Sequence, residues 1–312
     1  MHVIVHGGAG SAPDEPEPRQ AVLNDAAETG AAESSVVDAV EEATRVLESS
    51  PRFNAGVGGA VQSDGAIRTD AGLMTDDREA GAACSMPGVE HAVSAARVVM
   101  DETPHVLVSG DRAVELAADF GVETGVDLWS EETREKWADL DSTPEGTPRE
   151  HLDWLTEKFG GSPDDAEGDD SANEDPTDRD PKDHDTVGAV AYDPASDEFA
   201  AATSTGGRWL ALAGRVGDVP QIGSGFFAAP AGAASATGAG EDIAKTTLTR
   251  RAVRHLESGH EAQAAADRAI EEFAELTGSS AGVILLDGGG NAGSAFNSEA
   301  MQTAVAGRSP TE

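Results

Sequence analysis

Residues 160–185 constrain this chain more than any other segment, because they offer nothing to a hydrophobic core. Their sequence, GGSPDDAEGDDSANEDPTDRDPKDHD, contains no leucine, isoleucine, valine or aromatic residue. Burial therefore cannot offset the entropy that ordering them would cost. We expect a flexible acidic linker between two ordered parts, residues 1–159 and residues 186–312.

The ordered sequence resumes abruptly at Thr186. Up to Asp185 the chain is rich in proline and charge, and from Thr186 it reads TVGAVAYD, which is small, apolar and β-branched. Such a run predicts a strand, in which a threonine can simply fill a position on the pleat. The chemistry of the threonine offers a second interpretation.

A threonine hydroxyl is a weak nucleophile until a base takes its proton, and its own α-amine can be that base when the threonine begins a chain. A free α-amine has a pKa of about 7.7 to 8.0, so part of it is unprotonated at neutral pH. The Thr186 hydroxyl could create this chain end by attacking the carbonyl of Asp185. The acyl group would move from nitrogen to oxygen, and water would hydrolyse the ester.

The first ordered part predicts strands followed by helices. HVIVH alternates as a strand that enters the glycine loop GGAG, and SSVVDAVEEATRVLESS predicts a serine-capped helix with one apolar face. That face carries Val36, Val40, Ala43 and Leu47. Residues 51–74 predict a loop with paired strands. Helices are expected over GVEHAVSAARVVMDE, DRAVELAADF and REHLDWLTEKF, and a strand over HVLVS.

The second ordered part predicts a hairpin of TVGAVAYD and EFAAATST around a turn at 194–197. Strands are also predicted over GAASATGAG, SAGVILLD and NAGSAF, and helices over EDIAKTTLTRRAVRHLES and EAQAAADRAIEEFAEL. This order indicates an α+β fold with helices packed on largely antiparallel sheets. A doubly wound nucleotide-binding fold fits poorly, because HGGAGSA is not GxGxxG and GxxxxGK[ST] is absent.

The charge of the chain limits its partners. The net charge is -37, from 58 acidic and 21 basic residues, and only four of the basic residues are lysine. We therefore expect neither nucleic acid nor an anionic membrane as a partner. A surface of this kind suits concentrated salt and is typical of a haloarchaeal protein. An ordinary acidic protein from a low-salt cytoplasm fits the charge less well, because self-repulsion would destabilise it.

Other common signatures are missing. Cys84 is the one cysteine, so the chain cannot form an internal disulfide, and HExxH does not occur. His184 and Asp185 lie side by side in the acidic run, where we interpret them as solvated residues rather than a metal pair. The start of the chain lacks a basic region and a long apolar core, so we expect a cytoplasmic protein.

Short motifs surround Thr186 in a fixed order. After the linker come HDTVGAVAYD, ATSTGG, GRVGD, SATGAGE and SAFNSEAM, and before it come VHGGAG, LESSPRFNAGVG, DAGLM and TPHVLVSG. This combination resembles the N-terminal nucleophile hydrolases of the plant-type asparaginase and isoaspartyl peptidase family, over nearly all of the chain except the linker. The resemblance implies a four-layer αββα sandwich, built by residues 1–185 and 186–312 together after autocleavage.

The resemblance also implies a catalytic group. Thr186 would be the nucleophile, with Thr205 against its hydroxyl. Thr237 and Gly238 resemble an oxyanion hole, whose donors stabilise the negative charge that develops during acyl transfer. Asn54 resembles the residue that supports the surroundings of the nucleophile. The cleavage site would be the bond between Asp185 and Thr186.

A substrate clamp and an ion site are implied in the same way. Arg215 would hold the substrate α-carboxylate and Asp218 the α-ammonium, with Gly240 adding a carbonyl; without the motif, the two charged residues would be interpreted as a surface ion pair. A structural sodium ion is implied, with no other cofactor. Its ligands would be the backbone carbonyls of Leu47, Glu48, Ser50, Phe53, Ala55 and Val57. By itself this loop predicts a helix end and a turn, with the Glu48 side chain exposed.

Two departures from the family pattern leave the leaving group open. HDT replaces the glycine that usually precedes the threonine, as in glycosylasparaginases and threonine aspartase, and RWLALA lacks a lysine often present. All branches cleave a β-aspartyl amide through an aspartyl ester on threonine. HGGAG at 6–10, a loop expected to approach the site, favours L-asparagine and isoaspartyl peptides as small-molecule substrates. A glycosylasparaginase-like hydrolase and an unprocessed, non-catalytic binding module remain alternatives, and the family suggests a dimer of αβ units.

The acidic surface predicts that folding and activity require molar salt, since salt screens carboxylate repulsion and strengthens apolar burial. Circular dichroism and activity should rise together from low to multimolar KCl. A full signal and full activity in low salt would exclude a halophilic protein.

Overall fold

The computed structural model of the chain describes residues 1–159 and 186–307. The predicted linker, including Asp185, lies outside the described residues. The strands are β1 (His2–Gly10), β2 (Arg68–Thr75), β3 (Ala80–Pro87), β4 (Leu107–Ser109), β5 (Val187–Asp193), β6 (Glu198–Thr205), β7 (Phe226–Ala229), β8 (Gly232–Gly238), β9 (Ala281–Asp287), β10 (Ala292–Phe296) and β11 (Ala300–Ala306). The helices are α1 (Pro16–Ala32), α2 (Val36–Glu48), α3 (Ala92–Glu102), α4 (Asp111–Asp119), α5 (Glu131–Ala138), α6 (Pro148–Phe159), α7 (Gly240–Thr246), α8 (Leu248–Glu257) and α9 (Ala262–Thr277).

The described strands form two sheets. One has seven strands in the order β11-β1-β5-β6-β2-β3-β4, and the other has four in the order β10-β9-β8-β7. Within the described part of the chain, only β3 and β4 pair in parallel. The structure is therefore a mixed α+β fold with mainly antiparallel pairing, as predicted, and not a doubly wound parallel sheet.

Alternation along the strands explains how the sheets and helices pack. On β1, Val3 and Val5 join a buried cluster with α1, α2 and α3, whereas Ile4 points the other way and packs with Phe226 and Ile284 of the smaller sheet. The outer face of the smaller sheet packs against α8 and α9 in a further buried cluster. The two sheets thus lie against each other and are flanked by helices.

Several predicted elements are confirmed. The amphipathic helix is α2, whose cap is the Ser35 side chain accepting a hydrogen bond from the Asp38 backbone at 3.1 Å, and its four apolar positions are buried. The predicted hairpin is the antiparallel pair of β5 and β6. No helix of the described residues is long and apolar enough to cross a membrane.

Other predictions need correction. The glycine loop GGAG belongs to β1, and the single helix predicted over EDIAKTTLTRRAVRHLES is divided into α7 and α8 at Thr247, which has φ 53°. β3, β7, β11 and α5 were not predicted. α5 and α6 pack around Trp209, whose ring meets that of Trp137 edge-on at 6.2 Å. The segment RWLALA therefore places a tryptophan in the core beneath these two helices.

Gly72 limits how closely the sheets approach. An added Cβ at this position of β2 would lie 2.1 Å from the ring of Phe226 on β7. Gly72→Ala should therefore destabilise the protein by about 1–3 kcal/mol, the usual cost of overpacking. Gly288→Ala is the matched control, because a Cβ there meets nothing within 4 Å. Equal unfolding free energies for the two variants in denaturant titrations would contradict this packing.

Candidate active site

Thr186 immediately precedes β5 and lies beside the end of β6. Its hydroxyl donates to Oγ1 of Thr205 at 3.3 Å, and the two residues are 9% and 4% exposed. Oγ1 of Thr205 also accepts a hydrogen bond from the Gly207 backbone at 3.2 Å. The Thr205 oxygen can therefore hold the Thr186 hydroxyl in one direction. Asp185, the other half of the predicted cleavage site, lies outside the described residues.

A bulge in β1 leaves the start of β5 without a partner from β1. The pairing of β1 with β5 ends at His6 and Gly188, and the register with β11 shifts between His6 and Ala9. Gly8 has φ 105°, which favours glycine. Beyond the bulge, the Ala9 backbone donates to Oγ1 of Thr237 at 3.3 Å. The glycine loop thus reaches a residue of the predicted site, as the sequence suggested.

Hydroxyl residues on β6 and β8 form two layers between the sheets. Thr203 and Thr205 lie two apart on β6, and Ser235 and Thr237 lie two apart on β8, so each pair shares one face of its strand. We call Thr205 and Thr237 the upper layer, and Thr203 and Ser235 with His6 of β1 the deep layer. Gly238 follows Thr237 at φ 133°, and a Cβ there would lie 2.5 Å from the Ser280 carbonyl. A side chain at that position is therefore excluded.

Asn54 fixes the segment that follows Thr205. Its Nδ2 donates to the Gly207 carbonyl at 2.6 Å, and its Oδ1 accepts from the Ala60 backbone at 2.9 Å. Its own carbonyl accepts from the Gly206 backbone at 2.8 Å. Asn54 is 4% exposed, so it is placed to support the neighbourhood of the hydroxyl pair. Its role in catalysis stays a prediction.

The residues predicted to clamp the substrate also lie together. A Cβ on Gly240 would be 2.8 Å from both Nη2 of Arg215 and Oδ1 of Asp218. Two nitrogens of Arg215 donate to the two carboxylate oxygens of Glu241, each at 2.8 Å. Sequence reasoning missed Glu241, although it ends the quoted motif SATGAGE. The arginine is therefore held in a two-pronged pair with a carboxylate, which is the geometry that a substrate carboxylate would use.

Two buried carboxyl groups lie near this arginine. Burial raises the pKa of Asp218 to about 7, and the charge of Arg215 opposes the shift. Burial also raises the pKa of Asp70 to about 7, opposed by a hydrogen bond from the Ser85 backbone and by Arg215. Asp70 pairs with Thr205 in the register of β2 and β6. It was missed as a site residue, although DAGLM was among the quoted motifs.

The loop predicted to hold sodium is sharply turned. Gly56 and Gly58 have φ 55° and 92°. The Leu47 carbonyl accepts hydrogen bonds from the Ser49 and Ser50 backbones, whereas the carbonyls of Glu48 and Ser50 accept one each and keep a second lone pair. Sodium binding by this loop stays a prediction. Among the described residues no group of three or more histidine, cysteine, aspartate or glutamate side chains could hold a metal ion.

The Glu48 side chain is buried, and its interpretation as an exposed charge is wrong. It is 0% exposed, and its Oε1 accepts from the Ser204 hydroxyl at 2.6 Å and from the Val93 backbone at 3.0 Å. Burial raises the pKa of Glu48, while the His91 ring, whose Nδ1 lies 3.5 Å from Oε2, lowers it. The carboxyl group thus ties the end of α2 to β6 from the side opposite Thr203 and Thr205.

The raised pKa of Asp218 gives a testable dependence of stability on pH. Ionisation of this buried carboxyl group opposes folding. The destabilisation is absent below about pH 4, where the carboxyl is protonated in both states, and it grows until the pH passes the folded pKa of about 7. Oδ2 of Asp218 has no hydrogen-bond partner among the described residues. Asp218→Asn should therefore raise the unfolding free energy at pH 8 by on the order of 2 kcal/mol, while increasing KM for a substrate with a free α-ammonium.

Denaturant titrations at pH 5 and pH 8 measure this effect. Asp119→Asn, at an exposed position at the end of α4, is the control and should leave the difference between the two pH values unchanged. If Asp218→Asn shows the same difference in unfolding free energy between the two pH values as the wild type, ionisation of Asp218 does not oppose folding.

Comparison with known proteins agrees with this geometry. The family model described as Asparaginase matches residues 1–311. The plant-type L-asparaginase of Pyrococcus abyssi is 38% identical, with 97% of this chain and 95% of the relative covered. The isoaspartyl peptidase/L-asparaginase of Danio rerio is 33% identical, with 97% and 91% covered. The chain therefore belongs to the plant-type asparaginase and isoaspartyl peptidase family of hydrolases.

Proposed function

We propose that the protein is an autoprocessing threonine hydrolase of β-aspartyl amides, converting L-asparagine to L-aspartate and ammonia and cleaving β-aspartyl peptides. One observation carries the proposal. The Thr186 hydroxyl lies 3.3 Å from that of Thr205, in a buried site at the start of a strand. The segment before it has no residues that could build a core. A cut at this border would free the α-amine that threonine needs as its base.

Processing comes first in this proposal. The Thr186 hydroxyl attacks the Asp185 carbonyl, the peptide C–N bond breaks as the ester forms, and water hydrolyses the ester to leave a carboxyl group on Asp185. The products are residues 1–185 and residues 186–312, which remain together as one αββα domain of the N-terminal nucleophile type. Antiparallel pairing of β1, from the first product, with β5, from the second, supports this association.

Hydrolysis then uses the same hydroxyl. The free α-amine of Thr186 takes the hydroxyl proton, Oγ1 attacks the side-chain carbonyl of the substrate, and Thr237 and Gly238 stabilise the resulting oxyanion. The amide nitrogen leaves with a proton from the ammonium group of Thr186, as ammonia or as a peptide amine. Water then cleaves the aspartyl ester and restores the hydroxyl.

The substrate would be recognised through its own α-carbon groups. Its α-carboxylate would replace Glu241 in the fork of Arg215, and its α-ammonium would pair with Asp218 and the Gly240 carbonyl. The relatives named as L-asparaginases and isoaspartyl peptidases support these substrates. Because an aspartate precedes Thr186, glycosylated asparagine is a second candidate substrate. A panel of substrates can distinguish it from L-asparagine and β-aspartyl peptides.

Three further features belong to the proposal. A sodium ion would be held by the carbonyls of the loop between Leu47 and Val57, whose backbone turns at Gly56 and Gly58. The processed protein would form a dimer of αβ units. The net charge of -37 supports a cytoplasm with concentrated salt as its setting.

Thr186→Ala should lower kcat on L-asparagine by at least about a thousandfold, because nucleophile and base act as one unit. Thr186→Ser keeps the hydroxyl and should retain activity within about a hundredfold, since only the methyl group that restricts the rotamer is lost. Release of L-aspartate from L-asparagine, from a β-aspartyl dipeptide and from glycosylated asparagine measures the activity of both variants. Wild-type turnover by folded Thr186→Ala would contradict the proposal.

A further inference from the structure

Arg19 of α1 has no role in the reaction described above, yet it is only 8% exposed. Its Nε donates to Oε1 of Gln302 on β11 at 3.2 Å, and Nε2 of Gln302 donates in turn to the Pro16 carbonyl at the start of α1, at 2.8 Å. A guanidinium group in such a position is tolerated only when its hydrogen bonds are made. The acceptors of its two terminal nitrogens are therefore informative.

One terminal nitrogen holds the bulge of β1. Nη2 of Arg19 donates to the Gly7 carbonyl at 2.5 Å, in a buried hydrogen bond. Among the described residues, Gly7 has no partner in the register that β1 forms with β5 or with β11. Where a bulge interrupts the ladders, backbone carbonyls need other donors, and a charged donor makes the stronger hydrogen bond. The guanidinium group supplies such a donor at the bulge.

The other terminal nitrogen holds the loop that follows α2. Nη1 of Arg19 donates to the Arg52 carbonyl at 2.8 Å. The guanidinium carbon also lies over the buried ring of Phe53, 4.5 Å from its centre. The same ring contacts the bulge, because an added Cβ at Gly7 would lie 2.5 Å from it. Arg19 therefore joins the bulge and this loop at one point.

The two joined segments support different halves of the hydroxyl pair. The bulge ends the pairing of β1 with β5 before it reaches Thr186. Asn54 directly follows Phe53, and its Nδ2 donates to the carbonyl of Gly207, whose backbone N–H donates to Oγ1 of Thr205. A shift of the bulge relative to the loop would thus move Thr186 relative to Thr205.

We propose that Arg19 is a positioning residue: its guanidinium group fixes the bulge of β1 against the loop at Arg52 and Phe53, and so aims the Thr186 hydroxyl at Thr205. A planar fork holds two carbonyls in fixed directions, whereas lysine carries a single, freely turning ammonium group. An arginine that only anchored α1 would affect stability and leave kcat unchanged. The catalytic part of this inference rests on the proposed function, whereas the hold on the two segments does not.

Amide hydrogen exchange is the first test, and it needs no activity. Arg19→Met keeps an apolar stem over the Phe53 ring but removes every donor. Mass spectrometry should find exchange at least about tenfold faster than in the wild type in peptides covering 6–10 and 52–59, with wild-type exchange in α8 and α9. Unchanged exchange in both segments, or an equal rise throughout the protein, would overturn the proposal.

Kinetics of the same variants is the second test. Measured per mole of cleaved protein, Arg19→Met should lower kcat by at least about thirtyfold while KM stays within about threefold, because the substrate clamp is untouched. Arg19→Lys, whose ammonium group can still donate to one of the two carbonyls, should recover part of kcat and part of the exchange protection. Folded Arg19→Met with wild-type kcat would overturn the positioning role.

Arg112→Met is the matched control, since the Arg112 side chain on α4 is 83% exposed. It should leave kcat and exchange at their wild-type values. If Arg19→Met does not fold, Arg19→Lys decides by the same two measurements. If neither variant folds, the arginine is needed for folding and the positioning role is overturned. A wild-type protein without hydrolytic activity would instead count against the proposed function, and the exchange measurement would still test the hold on the two segments.

Discussion

The hydrogen bond between the hydroxyls of Thr186 and Thr205 depends on where the pairing of β1 with β5 stops. The bulge at Gly7 and Gly8 ends that pairing at His6, so the residue just before β5 keeps its backbone free of β1 while its side chain is buried. Continued pairing would fix the Thr186 amine in the sheet, where it could not act as a base. A bulge beside a reactive residue is a common way of re-aiming a side chain.

The buried carboxyl groups around Arg215 oppose folding but are suited to binding a charged ligand. Asp70, Asp218 and Glu241 all act on one guanidinium group, and burial raises the pKa of the first two to about 7. Buried carboxyl groups of this kind oppose folding at neutral pH, so their presence is easier to explain by a charged ligand than by stability. In the proposed function, the α-ammonium of the substrate would supply the positive charge that Asp218 lacks.

Patterns among neighbouring residues predicted several helices and strands correctly. The period of α2 with its cap at Ser35, and the hairpin of β5 and β6, follow from neighbouring residues. β3 and β11 escaped prediction because both are rich in alanine, which carries little strand propensity, and the partner that stabilises β11, the strand β1, lies at the other end of the chain. The burial of Glu48 and the cluster around His6 escaped for the same reason: His6 and Ser235 lie 229 residues apart and meet only when the sheets pack. Motif resemblance predicted the roles of Thr186 and Arg215, but not their neighbours Asp70 and Glu241.

The central claim is that Thr186 becomes a chain end, and the mass of the purified wild-type protein tests it most directly. Intact-mass analysis with N-terminal sequencing should find two chains, residues 1–185 and 186–312, with threonine at the start of the second. Hydrolysis of asparagine should appear with these two chains and not before them. An active protein that remains one uncut chain would contradict the account, because Thr186 would then have no free amine to take its proton.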